Sequence, residues 1–263
     1  MIGELVVVAY LLIALIFGVK IFTKTLSWLA ETDRAVFPLS NLSIVGWGVV
    51  AFVTAFLLEL AVMYPLWGSS AMFLALALFV GPIEEGAKLL PFVFSRGKDR
   101  MTRWRLTLKV ALFFGIIEAL MYFVVLASRG NILGGFLRLI ILMFHVAWTA
   151  VALESALQGS LLEGYLRASL LHGLYDAPVL LMPFGGEIAG LLALGGIWAI
   201  IKLYNSIDEA FRFAVDYEKR LLERRRATVG TIYSDSGTPQ NEPEEESGEE
   251  ILEESGEDFT SWP

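Results

Sequence analysis

Long apolar runs alternate with short polar connections along most of the chain. Seven runs, residues 2–22, 44–64, 70–95, 107–127, 132–156, 161–181 and 187–204, are each long enough to cross the ~30 Å hydrocarbon core of a bilayer as a helix of about 20 residues. The first run lacks a basic leader and a small-residue cleavage site, so it reads as a first span and not as a removable signal. The last two are interrupted by Pro178, Pro183 and glycines, and Arg167, His172 and Asp176 break their apolar pattern. After residue 204 the period changes. Ile207, Phe211, Val215 and Leu222 recur among charges at helical spacing, which predicts a cytoplasmic amphipathic helix over 205–226, lying on the membrane or on the bundle. Its arginine cluster suits anionic headgroups. Residues 227–263 form a Ser/Gly/Glu/Pro tract with almost nothing to bury, and are expected to be disordered. The expectation is an all-α polytopic membrane bundle of about seven transmembrane helices over 1–204, followed by the amphipathic helix and the acidic tail.

Composition agrees, since 56% of the residues are apolar. The net charge of −8 misleads. All 20 basic residues lie at or before Arg226 against 17 acidic ones, while the tail beyond has 11 acids and no base. Basic residues cluster in the connections after the first, third and seventh runs and near the start of the sixth, with only Arg129 in a connection on the other face. The positive-inside rule then places a multi-pass protein in the cell membrane with its N-terminus outside and its C-terminus cytoplasmic. Lipids are expected partners; nucleic acid is not. With no cysteine, disulfides, thiolate metal sites and a cysteine nucleophile are excluded.

Ionisable residues inside the apolar runs carry the chemical information. A charge at mid-bilayer costs about 2.5–3.5 kcal/mol on insertion scales, and is kept where it faces a bundle interior and serves a site. Glu84, Glu85, Lys88, Glu118, Arg138, His145, Glu154, His172 and Asp176 are the candidates. Glu59 lies near the outer end of its run and is expected to reach the interface. Arg138 and Glu154 are expected to snorkel or pair within the bundle, and Trp47, Trp67 and Trp104 read as interfacial anchors. Counted along their helices from the basic ends, Glu85, Glu118, His145 and His172 fall at one depth, roughly 14–20 Å at 1.5 Å per residue. Glu84 and Lys88 share a helix face, as do His172 and Asp176. Gly81-Pro82 is expected to break or restart the helix, leaving Glu84 near a positive helix end. Four carboxylates against Lys88 would leave a charge of −3 if all ionised, so protons or a cation must balance them. A protonated carboxyl beside an ionised one serves general acid–base chemistry; a divalent metal such as zinc would serve by acidifying water. Spacing alone does not choose between them.

The residues also carry a resemblance. Glu84-Glu85-Gly86-Ala87-Lys88 is an EExxK motif, Phe114-Gly115-Ile116-Ile117-Glu118 is FxxxE, His145 is a lone helical histidine in FHVAWTAVA, and His172-Gly173-Leu174-Tyr175-Asp176 is HxxxD. In this order on successive helices, over about 70–183, they resemble the PrsW family of intramembrane proteases, relatives of the CAAX prenyl endopeptidases and, more distantly, of a γ-secretase subunit thought to be a scaffold. The resemblance implies peptide-bond hydrolysis of a membrane protein substrate. Glu84 would be the general base, Glu85 would pair with Lys88, and His172 and Asp176 would stand at the oxyanion. Glu118 replaces the histidine of the CAAX enzymes, Asp176 replaces their asparagine, and Lys88 comes one position before their arginine. These departures fit the PrsW branch, add carboxylates, and raise the case for a metal on Glu118, His145 and His172. They also argue against a prenylated substrate. PrsW-type proteins are associated with processing membrane-bound regulators such as anti-sigma factors. Two other functions fit the buried charges. An ion or proton-coupled transporter is one, although no inverted halves are visible; a non-catalytic scaffold is the other.

Overall fold

The computed structural model describes residues 2–32, 39–95 and 97–235. Among them there is no strand, and long helices follow one another with short turns. These are α1 (Ile2–Thr32), α2 (Asn41–Met63), α3 (Ala71–Lys88), α4 (Leu90–Phe94), α5 (Arg100–Ser128), α6 (Ile132–Leu157), α7 (Leu161–Leu180) and α8 (Gly186–Asp235). The chain divides into two compact units, Met1–Leu221 and Leu222–Pro263. In the second, the described residues are the last turns of α8; 236–263, most of the segment expected to be disordered, lie outside the described residues.

Five helical segments are long and apolar enough to cross a membrane: Ile2–Thr32, Asn41–Leu66, Arg100–Ser128, Ile132–Leu157 and Gly186–Arg224. Leucines, valines and phenylalanines of α1, α2 and α5 that face outward have no protein to cover them, as expected of helices in lipid. The chain is a membrane protein by this measure. α3 and α7 fall short of it because of the charges they carry: Glu84, Glu85 and Lys88 on one, Glu163, Arg167 and Asp176 on the other.

Local chemistry sets the helix ends. Asp99 caps α5, its Oδ1 accepting from the backbone N–H groups of Met101 and Thr102 at 3.0 Å. The turn to α6 runs through Gly130, whose φ of 78° favours glycine, and Asn131 then caps α6 by accepting from the Gly134 N–H at 2.9 Å. α6 is central, packing on α1, α5 and α7, while α3 packs on α2 and α7. Every residue of α6 from Met143 to Leu157 is buried.

Three expectations need correction. Pro82 does not break the helix: α3 runs through it to Lys88. Tertiary contacts hold it there, because the Tyr165 hydroxyl donates to the Pro82 carbonyl at 3.1 Å and Gly81 brings the backbone of α7 against α3. The break falls instead at Leu89, before Pro91 at the start of α4, so the run 70–95 is two helices. Glu84 therefore lies near the C-terminal end of α3, where the helix dipole gives it no help. The second correction concerns residue 204, where no boundary occurs: α8 is continuous, and Ile207 and Phe211 are buried in the bundle. The third is Trp104, 1% exposed and packed edge-on against Phe211, which is a core residue and not an interfacial anchor. Trp67, at 73% exposed, keeps that reading.

Candidate functional site

Four helices bring the six expected site residues into one cluster. α3 supplies Glu84 and Glu85, α5 supplies Glu118, α6 supplies His145, and α7 supplies His172 and Asp176. The helices approach closely because small residues stand at their contacts. A Cβ on Gly81 would lie 2.3 Å from the Ser169 carbonyl oxygen, and one on Gly115 would lie 2.9 Å from that of Leu142.

Lys88, fully buried, is the hub. Its Nζ lies 2.7 Å from Glu85 Oε1, 3.4 Å from Glu84 Oε2 and 2.9 Å from His145 Nδ1. An ammonium only donates, so His145 Nδ1 accepts and its proton sits on Nε2, which faces Glu118 Oε2 at 2.9 Å. That contact is close but misaligned, and Glu118 Oε2 has no hydrogen-bond partner among the described residues. Glu85 is 0% exposed and fully engaged. Its Oε1 also faces His172 Nδ1 at 2.9 Å, and its Oε2 accepts from the Thr149 hydroxyl at 3.4 Å. The other nitrogen of His172 lies 3.0 Å from Asp176 and 3.8 Å from Glu84. Trp148 stacks on the His172 ring with centroids 3.9 Å apart and planes 12° apart, fixing its plane. Glu84 is thus the acid held only by long contacts, while Glu85 is locked.

Trp148 and Thr149 were not singled out in the sequence, although they follow His145 by three and four positions and so share its face. Glu59 differs from expectation, whereas Arg138 pairs within the bundle. Glu59 Oε1 is buried without a hydrogen-bond partner among the described residues. Arg138 lies over the Tyr122 ring at 3.9 Å and shares a small cavity with Glu118 and His145. Glu154 pairs within the bundle as expected, 3.7 Å from Arg167. A larger apolar cavity of about 300 Å³, lined by Thr54, Leu58, Pro82, Ile83, Gly86 and Tyr165 among others, lies behind α3 and touches none of the six site residues.

The donor set suits a divalent cation. Glu84 Oε2, His145 Nδ1 and His172 Nε2 lie within 4.8 Å of one another, the carboxylate oxygen 3.5 and 3.8 Å from the two nitrogens. Ligands of a tetrahedral zinc at about 2.0–2.1 Å stand roughly 3.3–3.4 Å apart, so the three groups would have to draw together, and His172 Nε2 would have to leave Asp176, 3.0 Å away. Each imidazole turns its other nitrogen toward a carboxylate, Glu118 or Glu85, the outer partner that orients metal-bound histidines. The three residues grouped here include Glu84, whereas the expectation from the sequence was Glu118, His145 and His172. Lys88 competes, because its ammonium uses the lone pair of His145 Nδ1 that an ion would need.

No family model, curated protein or solved structure matches the chain.

Proposed function

We propose that the chain is an intramembrane endopeptidase of the PrsW type, hydrolysing a peptide bond of a membrane-embedded protein. In this reading it is a seven-span protein of the cell membrane, N-terminus outside and C-terminus cytoplasmic, with α3 and α7 as the two spans that carry the charges of the site. One observation carries the proposal: two imidazoles and four carboxyls from four helices meet around one buried lysine. Such groups are costly in a bilayer and are kept for chemistry.

Glu84 is the general base, because Glu85 is locked by Lys88, His172 and Thr149. Water held by Glu84 gives up a proton to it as its oxygen bonds to the scissile carbonyl carbon. His172, set in plane by Trp148 and held between Glu85 and Asp176, donates to the oxygen that gains the charge. The proton on Glu84 then passes to the departing amine nitrogen as the carbon–nitrogen bond breaks. Were a divalent ion present, Glu84, His145 and His172 would hold it, and the ion would acidify the water and polarise the carbonyl in place of the proton that His172 donates without it.

The test is cleavage of a panel of purified single-span anti-sigma factors in mixed micelles. Glu84→Gln should cut at least about 10²-fold more slowly, the usual worth of a general base, with unfolding unchanged. Unchanged cutting by that variant removes the mechanism. Proton or cation flux into liposomes that stops with Asp176→Asn, without cleavage, selects the transporter instead.

A further inference from the structure

Hydrolysis inside a bilayer needs a route for water, and the cluster is packed less tightly on one side than on the other. Toward the basic ends of the helices the cluster is sealed: all residues of α6 from Met143 to Leu157 are buried, and Phe114 and Trp148 close around Lys88 at 5.0 and 5.8 Å. Toward the α5–α6 turn the seal is looser: before Met143, Gly135 alone of α6 is buried, while Leu133, Phe136 and Leu139 face lipid. On that side a cavity between α5 and α6 touches the site itself. Gly115, Glu118, Ala119, Arg138, Leu142 and His145 line it, and its space for a water centre, about 10 Å³, suits roughly one water molecule. Gly115 keeps this seam narrow without filling it.

One polar group there is short of partners. Glu118 lines the cavity, and its Oε2, 2.9 Å from His145 Nε2, has no hydrogen bond among the described residues. Buried polar atoms of this kind are satisfied by water, since leaving one unpaired costs about 1–3 kcal/mol. Arg138 lies six residues into α6, roughly 9 Å from its first turn at 1.5 Å per residue, and its guanidinium rests on Tyr122, which is 40% exposed. Tyr122 is itself six residues before the end of α5, so the guanidinium stays roughly 9 Å below the turn, within the bundle and beside the cavity.

We infer that the buried site takes its water and exchanges its protons through a portal between α5 and α6, lined by Glu118 and Arg138 and opening on the face opposite the basic ends. The inference rests on the proposed orientation and on the cluster being a working polar site, but not on which bond it cuts. Arg138 then stands beside the passage as a fixed positive charge that hinders other cations.

Because the chain has no cysteine, single thiols can be placed without removing any. The experiment adds silver ion, a thiol-reactive cation close to water in size, to one face of oriented proteoliposomes of the full chain, and counts the thiols left for a maleimide after denaturation. Ala119→Cys and Leu142→Cys put thiols in the portal; Leu120→Cys, where the leucine is 54% exposed on the lipid side, and Ala152→Cys, in the sealed half of α6, are controls. Thiolate, the reactive form, is scarce in hydrocarbon. Both portal thiols should therefore react from the outer face at least about tenfold faster than either control. Adding Arg138→Gln should raise the rate with the cationic reagent a few-fold, by removing a repelling charge. Portal thiols that react no faster than the controls, or only from the basic face, overturn the inference, and Leu142→Cys decides alone if Ala119→Cys does not fold. Labelling without cleavage would count against the protease and leave the portal standing; cleavage without labelling would do the reverse.

Discussion

Lys88 decides the charge balance of the site. With 0% exposure and three acceptors around Nζ, it offsets a charge on Glu85 that would otherwise stand in a dry interior. Breaking a buried pair by removing one partner typically costs about 3–5 kcal/mol, because the remaining charge is uncompensated. Lys88→Met should therefore lower stability by about that much in denaturant titrations in mixed micelles. Adding Glu85→Gln should recover more of the loss than adding Glu84→Gln, since the two acids lie 2.7 and 3.4 Å from Nζ. Equal rescue by the two would contradict the division between a locked Glu85 and a loosely held Glu84. At this scale the sequence was legible where depth and spacing were enough: Glu84, Glu85, Glu118, His145, His172 and Asp176 share one level and meet. It was not legible for Glu59. Distance from a helix end places a residue along the membrane normal, but says nothing of the direction in which the side chain leaves the helix.

Helices reach the site through two small contacts, and prolines are read correctly only with those contacts in view. A proline inside a helix loses a donor and crowds the preceding turn, which predicted a break at Pro82. α3 survives because Tyr165 donates to the Pro82 carbonyl and because Gly81 lies against α7. Pro91 has no such support, and the helix ends at Leu89. Apolar periodicity located both regions but could not tell which proline would be held by a neighbour. Gly81 offers the direct test. Its added Cβ would stand 2.3 Å from Ser169 O and 2.8 Å from the Gly173 N–H, backbone atoms that cannot rotate away. Gly81→Ala must push α3 from α7, lengthening the 2.9 Å contact between Glu85 and His172. Overpacking of this kind costs about 1–3 kcal/mol, and a shift near 1 Å in a catalytic group costs roughly 10²-fold in rate. Gly81→Ala should show both losses, measured by unfolding and by the cleavage assay. Gly46, whose added Cβ would meet nothing, should accept alanine without either.

Over the whole of the first compact unit, the basic ends of the helices are joined by α8, and two kinds of contact compete to explain what holds it. Polar links are several: Lys24 with Asp208 at 2.9 Å, Trp28 Nε1 donating to Asp208 at 3.0 Å, Arg167 donating to Ser206 at 2.9 Å, and the pair Arg105 with Glu218. The apolar link is Phe211, 0% exposed, stacked on Trp28 of α1 at 5.7 Å and meeting Trp104 of α5 edge-on at 5.9 Å. Partly exposed ion pairs such as Lys24–Asp208, with side chains 20% and 37% exposed, contribute about 0–1 kcal/mol. Removing a buried phenylalanine costs about 3–5 kcal/mol, because its contacts are lost and a cavity remains. The magnitudes select Phe211 as the pin that fastens α8 to α1 and α5. They also explain why the amphipathic period after residue 204 continues the span without a joint, since its apolar face is covered by protein at Ile207 and Phe211. Phe211→Ala should then destabilise the bundle several-fold more in free energy than Lys24→Gln, measured side by side by denaturant titration. If Lys24→Gln proved the costlier change, charge and not aromatic packing would be what ties the last helix to the rest.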